Sequence, residues 1–300
     1  MQPRVSVAVV EKTPWKGYLV LVVGYGAALG ASVLCVHDSP AEWPWLLTFL
    51  AAELAATLVL FGFAVAFDNT ALYNAHWSLA PIVVAFWFAL GPGAARALDT
   101  RQLVVLSVVT FYGVRLTFNW VRSWAGLKHE DWQYSDFREK TGKAFWPVSL
   151  LAFHLFPMGL VIAGCLPLHA ALVREGPPFG VLDLTGAAVT AGAVVIEWLA
   201  DEQLRRHRRS GAGGFCTVGL WNWSRHPNYF GEVSVWFGFW VLGVAAGAPW
   251  WAAAGWVSML ALFVGASIPM AEKRSLARRP GYADYARRTS VFVPLPPRRG

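Results

Sequence analysis

Apolar runs of bilayer-span length recur along this chain, and that recurrence constrains its fold more than any other feature. They cover roughly Gly17 to Val36, Pro44 to Phe67, Trp77 to Leu90, Gln102 to Trp120, Pro147 to Val173, Gly180 to Ala200, Tyr229 to Gly247 and Trp250 to Met270. A span needs about 20 apolar residues in a helix. The pattern predicts an all-α, polytopic integral membrane bundle of seven or eight transmembrane helices. The third run is short for a span, and the fifth carries Pro157 mid-run, where a kink is expected.

Hydrophobic residues make up 56% of the sequence, and the few charges cluster. Basic residues collect in Arg122 to Lys143, Arg205 to Arg225 and Lys273 to Arg299, whereas His37 to Trp43 has none. If all eight runs span, those stretches share one side with Arg4, Lys12 and Lys16. The positive-inside tendency makes that side cytoplasmic, with both termini on it. The membrane expected is a bacterial inner membrane or the endoplasmic reticulum. No cleavable signal is evident. The net charge of +7 is this topology signal, and nucleic acid is excluded as a partner. Cys35, Cys165 and Cys216 lack metal spacing and read as packing residues, and the seven histidines are scattered. No metal site is therefore expected.

No linker separates soluble domains. The domain division expected is N-terminal transmembrane helices over 1–67 and one membrane domain over 68–300. Tryptophans such as Trp43, Trp120, Trp124, Trp221, Trp250 and Trp251 gather at span ends as interfacial anchors. Two long loops, Val121 to Phe145 and Asp201 to Pro227, suit either ligand contacts or solvated surface. The middle of the first, around His129 to Tyr134, has the makings of an interfacial helix.

Four segments hold polar groups where chemistry needs them. Along Ile196 to Arg209, read as one helix, Glu197, Asp201, Arg205 and Arg208 recur at four, four and three and share a face. Carboxylates accept from sugar hydroxyls and guanidinium forks clamp phosphates, so this face suits a phosphorylated, hydroxylated ligand; an intrahelical ion-pair ladder fits equally. The run Ser224 to Glu232 packs Arg225, His226, Asn228, Tyr229 and Glu232 at the entry of an apolar span. Pro227 fits a first helical turn, and Gly211, Gly213 and Gly214 precede it as a turn. Such a run suits a polar, anionic ligand at a membrane surface. In the fourth span Tyr112 and Arg115 lie three apart with Asn119 a turn on, so Arg115 faces the bundle interior or snorkels. Glu53 in the second span is a further buried carboxylate, either paired or functional. After the last span, Glu272, Lys273 and Arg274 lead to Tyr282 and Tyr285, which form either an interfacial helix or a lid.

Three stretches carry a resemblance: Leu-Trp-Asn-Trp-Ser-Arg-His-Pro-Asn-Tyr-Phe-Gly-Glu, the preceding Ala-Asp-Glu-Gln-Leu-Arg-Arg-His, and the closing Glu-Lys-Arg with Arg-Pro-Gly-Tyr-Ala-Asp-Tyr and Val-Pro. Together they resemble the DUF1295 branch of the steroid 5-alpha-reductase superfamily, from about Asp68 to Pro297. Arg-His-Pro-x-Tyr alone is shared with isoprenylcysteine carboxyl methyltransferases and with sterol reductases. The resemblance implies an all-helical membrane reductase with NADPH in a cytoplasm-facing cavity, passing hydride to the β carbon of an enone. A tyrosine with a carboxylate partner polarises the carbonyl. It makes Tyr112 the candidate acid. Asp201, Arg208, Asn228 and Glu232 become dinucleotide contacts, with Arg115, Glu197, Arg205, Arg225, His226, Tyr229 and Arg274 in the same cofactor set. Two departures stand out. Asn74 replaces an aspartate three residues before Trp77, so Asn74 and His76 are the catalytic candidates there, with Asp68 nearby. Glu197 replaces an asparagine and adds negative charge near an anionic ligand.

The function expected is therefore an NADPH-dependent reductase of an activated C=C bond in a lipid-soluble substrate that enters from the bilayer. A methyltransferase using S-adenosylmethionine is one alternative. A lipid-binding or scaffold protein without catalysis is another.

Overall fold

A computed structural model describes residues 14–91, 97–128, 130–173 and 176–298; Arg4, Lys12, His129 and Arg299 lie outside the described residues. Twelve helices are named: α1 (Pro14–Asp38), α2 (Trp45–Ala66), α3 (His76–Leu90), α4 (Thr100–Ser123), α5 (Trp132–Thr141), α6 (Phe145–Ser149), α7 (Phe156–Val173), α8 (Val181–Arg209), α9 (Pro227–Ala245), α10 (Ala254–Leu262), α11 (Ile268–Arg278) and α12 (Tyr282–Arg288). The chain is an all-helical membrane protein. The β pairing among the described residues is one isolated bridge between Ser224 and Ser290. Among the described residues, six helical stretches are long and apolar enough to cross a membrane by length and composition: Trp15–Asp38, Trp45–Ala66, Thr100–Ser123, Trp132–Val173, Val181–Arg209 and Trp250–Arg278. The other two of the eight runs form α3, with 15 residues, and α9, with 19.

The long stretches through α7 and α11 are each broken by a π turn, at Leu150–Leu155 and Phe263–Ser267. Pro157 and Pro269 follow these turns closely. Neither has an N–H for the carbonyl four residues back, at Phe153 and Gly265, and the wider turn absorbs the mismatch. The distortion expected at Pro157 thus sits one turn ahead of it.

Two compact units are present, and their division does not run at residue 67: one draws on the described parts of Met1–Trp77 and Thr117–Ile162, the other on Ser78–Leu116 and Ala163–Gly300. In the first, Ser32 donates to the Ala52 carbonyl (2.9 Å) and ties α1 to α2. Glu53, buried in α2, pairs with His76 at 3.1 Å. The ring of His76 stacks on Tyr73, whose hydroxyl shares a 3.0 Å hydrogen bond with Thr57. The expected interfacial helix is α5. Its Arg138 bridges Asp68 and Glu130 and lies over the Phe145 ring.

The second unit is organised by α8 against α9. A Cβ on Gly231 would lie 2.8 Å from the Cβ of Glu197, and one on Gly238 would lie 2.2 Å from the Thr190 hydroxyl. Small residues at this seam let the backbones approach closely. They bring the polar ends of both helices together. Gly164 on α7 leaves room for the Trp236 ring, which a Cβ would approach to 2.0 Å. At the opposite ends of α4 and α8, Arg101 holds Asp183 through a bidentate pair of 2.6 and 3.0 Å. Asp183 also accepts from the Gly180 amide and so caps α8.

Candidate functional site

Everything in this site belongs to the second unit. Tyr112 on α4 is fully buried, and its hydroxyl donates to Glu232 Oε1 at 2.7 Å. Trp236, one turn along α9 from Glu232, donates its indole N–H to the same oxygen at 2.9 Å. Trp236 and Phe239 make T-shaped ring contacts with Tyr112 and fix the phenol. The second oxygen of Glu232 is buried with no hydrogen-bond partner among the described residues. One turn from Tyr112, Arg115 contacts Glu197 at 2.6 Å and Asp201 at 2.5 Å. Asp201 accepts from the Asn228 amide at 3.3 Å. The shared face read from the sequence of α8 is therefore real for Glu197 and Asp201. Arg115 faces the interior, not the interface.

Asn228 also lines a cavity of about 220 Å³. Its walls come from the end of α8 (Leu204, Arg208), the segment Phe215 to Tyr229, α11 (Ala271, Ser275), Arg279 just after it, and α12 (Tyr282, Tyr285). The glycine turn before it has the left-handed backbone expected, with φ of 67, 65 and 65° at Gly211, Gly213 and Gly214. Pro227 occupies the first turn of α9 as expected.

One carboxylate organises the mouth. Glu272 accepts from Arg225 at 2.7 Å, from His226 Nε2 at 2.8 Å and from the Tyr282 hydroxyl at 2.6 Å. The His226 ring stacks on Tyr229. Arg225 also donates to the carbonyls of Ala286 and Thr289, and its own amide donates to the Ser290 carbonyl. Tyr285 donates to the Trp221 carbonyl, and Ser224 donates to the Phe292 carbonyl. The C-terminal segment is therefore a docked wall of the cavity. Burial and the adjoining Glu272 carboxylate push the Tyr282 phenol above its ordinary range. Burial and Tyr282 do the same to Tyr285, and burial raises the Cys216 thiol.

The expected site residues fall into four sets. Tyr112, Arg115, Glu197, Asp201 and Glu232 form the deep cluster, and Asn228 joins it to the cavity. Arg208, Arg225, His226 and Tyr229 line the cavity. Arg205 pairs with Glu202 at 3.2 Å, and neither it nor Arg274 lines the cavity. The contacts of Asn74 and His76 lie in the first unit. Asn74 accepts from Tyr134 at 2.5 Å and faces Asp131, while His76 meets Glu53. The carboxylate beside Tyr112 is Glu232, a residue expected among the cofactor contacts. Glu272, Trp236 and Phe215 were missed as site residues. Only Glu272 gave a signal, as an acid at the end of an apolar span.

A family model described as "Protein of unknown function (DUF1295)" matches residues 60–289. An uncharacterized protein of Schizosaccharomyces pombe is 26% identical over 263 residues, covering 79% of this chain and 76% of the relative. No solved structure matches.

Proposed function

Since the chain belongs to the DUF1295 family, we propose that it is a membrane-embedded, NADPH-dependent reductase of an activated C=C bond in a lipid-soluble substrate. The observation that carries the reading is the buried Tyr112 to Glu232 hydrogen bond, whose helix α9 also contributes Asn228 and Tyr229 to a cavity lined by arginines. Two features fit a phosphorylated dinucleotide. The guanidinium groups of Arg208 and Arg279 line the cavity without a hydrogen-bond or ion-pair partner among the described residues, and Glu232 keeps an unpartnered buried oxygen. Arg208, Asn228 and Tyr229 would hold the cofactor, on the cytoplasmic side that the basic loops indicate. When bound, NADPH supplies a hydride.

The protein's part is positional and acidic. Trp236 and Tyr112 both donate to one oxygen of Glu232, so the phenol is held in one orientation, and a substrate carbonyl oxygen that took the place of Glu232 as acceptor would receive its proton. Arg115 fixes Glu197 and Asp201, and Asp201 in turn orients the Asn228 amide at the cavity floor. Burial of this cluster excludes water from the proton.

Thermal unfolding of detergent-purified protein with NADPH, NADH and S-adenosylmethionine tests the cofactor, because a ligand of the folded state raises the midpoint. Stabilisation by S-adenosylmethionine and none by NADPH would replace the reductase with a methyltransferase. With a panel of lipid-soluble enones, Tyr112→Phe is expected to lower turnover by about 10²-fold or more while NADPH binding persists. Unchanged turnover removes Tyr112 from the chemistry.

A further inference from the structure

Residues 273–298 carry more positive charge than their contacts consume. Lys273, Arg278, Arg287, Arg288 and Arg298 are exposed, and the stretch holds one carboxylate, Asp284, which pairs with Arg287. The side chains of Lys273, Arg278 and Arg298 have no carboxylate partner among the described residues. Apolar surface is exposed between these charges. Past α12, Val291, Val293 and Leu295 are 40, 47 and 52% exposed, whereas Phe292 and Pro294 between them are half-buried. Phe292 is fixed inward, its ring against Phe230 and its carbonyl on the Ser224 hydroxyl. The Leu295 amide donates to the Trp223 carbonyl at 3.0 Å, and the Arg225 amide donates to Ser290 at 2.8 Å. This fixed backbone keeps the three apolar side chains turned outward, beside the exposed ring of Trp223.

Position decides what meets this strip. α11 closes the stretch Trp250–Arg278, which is long and apolar enough to cross a membrane, so Arg278 stands at the end of a span. α12 adds seven residues, about 10 Å of helix, and the chain then returns to the entry of apolar helix α9. The strip is thereby held at the level of the headgroups. Apolar side chains and tryptophan are immersed at that depth, and guanidinium forks match phosphate oxygens in geometry as well as charge. Clusters of cations immediately beyond a membrane helix attract anionic lipid, with a contribution from each charge.

We infer that residues 291–295 form an interfacial strip that docks on anionic phospholipid, with Val291, Val293 and Leu295 immersed in the bilayer surface and Lys273, Arg278 and Arg298 on the lipid phosphates. Anionic lipid then holds the C-terminal segment from outside, as Glu272 holds it from inside. The inference stands apart from the reductase reading and needs no nucleotide.

The test is hydrogen exchange of the Leu295 and Arg298 amides, which are bonded to the carbonyls of Trp223 and Arg288 and exchange when the segment opens. The full chain is placed in nanodiscs of phosphatidylcholine alone or of phosphatidylcholine with phosphatidylglycerol. Phosphatidylglycerol is expected to slow exchange about tenfold or more, and high salt to remove most of that protection. A triple variant, Lys273→Gln with Arg278→Gln and Arg298→Gln, should lose the lipid dependence and exchange as wild type does in phosphatidylcholine. Val293→Ser with Leu295→Ser should exchange about tenfold faster in both bilayers, beyond the intrinsic effect of serine. Glycerol 3-phosphate added to phosphatidylcholine discs supplies the same charge without the lipid and should give no protection. Equal protection by that soluble phosphate, or a lipid effect that survives in the triple variant, would overturn the lipid assignment. Serine variants that exchange at the wild-type rate would overturn immersion of the strip. Protection confined to discs holding two copies of the chain would give the strip to a second copy and overturn the proposal as well.

Discussion

Glu272 receives three donors from two parts of the chain, so its removal should release the C-terminal wall. In Glu272→Ala, Arg225, His226 and Tyr282 all lose an acceptor at 2.6 to 2.8 Å. Deleting one partner of a buried ion pair costs about 3–5 kcal/mol. Arg225 keeps the carbonyls of Ala286 and Thr289, which places the loss near the low end, about 3 kcal/mol. Each 1.4 kcal/mol is about a factor of ten, so the open population of the segment should rise roughly a hundredfold. Trypsin cleavage after Arg288 reads that population directly when reclosing is faster than cutting. Glu272→Gln keeps an acceptor and loses the charge, so its cleavage rate should fall between wild type and Glu272→Ala. Asp284 supplies the control: its pair with Arg287 is exposed, and Asp284→Asn should change stability by less than about 0.5 kcal/mol. Cleavage of Glu272→Ala at the wild-type rate, or an equal effect from Asp284→Asn, would refute the role given to this carboxylate.

Three further outcomes follow from the packing and the titrations. Asp183→Asn should lower stability by about 3–5 kcal/mol, because the Arg101 guanidinium loses a bidentate partner in a buried site, whereas Arg101→Met with Asp183→Leu should be milder; thermal midpoints of the single and double variants decide it, and a milder single variant would count against the assignment. Gly164→Ala drives a methyl into the Trp236 ring, at a cost of about 1–3 kcal/mol, and disturbs the indole donor to Glu232; a wild-type unfolding midpoint and unshifted indole fluorescence would contradict the contact. Tyr282 and Tyr285 are raised above the ordinary phenol value of about 10. Ionisation therefore favours the undocked state: the stabilisation is intact below about pH 10 and is lost as pH rises from there through the docked-state values. Wild type should lose more stability above that pH than a variant carrying Tyr282→Phe and Tyr285→Phe, and parallel pH profiles would show that these phenols are not linked to docking.

Local pattern made much of the fold legible. Apolar runs gave the helices, and the depth of Arg115 in α4 already required an interior partner. The face of α8 was legible only in part. At about 100° per residue, Arg208 lies roughly 20° from Glu197 around the helix, whereas Arg205 lies roughly 80° away. Arg208 therefore stays near the face of the carboxylates and, further along the helix, lines the cavity, whereas Arg205 turns to Glu202. Partners distant in sequence were beyond such reasoning. Tyr112 and Glu232 are 120 residues apart, and His226 and Glu272 are 46 apart. Nothing in the residues around Gly164 announces that Trp236 lies against it. Close approach of that kind is decided by packing between helices, which periodicity does not encode.

Density of polar residues in a short run is therefore evidence of convergence before it is evidence of a ligand. In the run Ser224 to Glu232, Ser224 and Arg225 hold the C-terminal segment, and His226 reaches the carboxylate that Tyr282 also uses. Of its other polar side chains, Glu232 turns inward to Tyr112, and Asn228 and Tyr229 line the cavity. The positive charge still available to an anionic ligand must then come from outside the run. It is supplied by Arg208 at the end of α8 and by Arg279 just after α11. A ligand held there depends on the C-terminal segment being docked, and docking depends on Glu272. Loss of Glu272 should therefore weaken nucleotide binding without touching the acid pair of Tyr112 and Glu232, whereas loss of Glu232 should leave the segment in place.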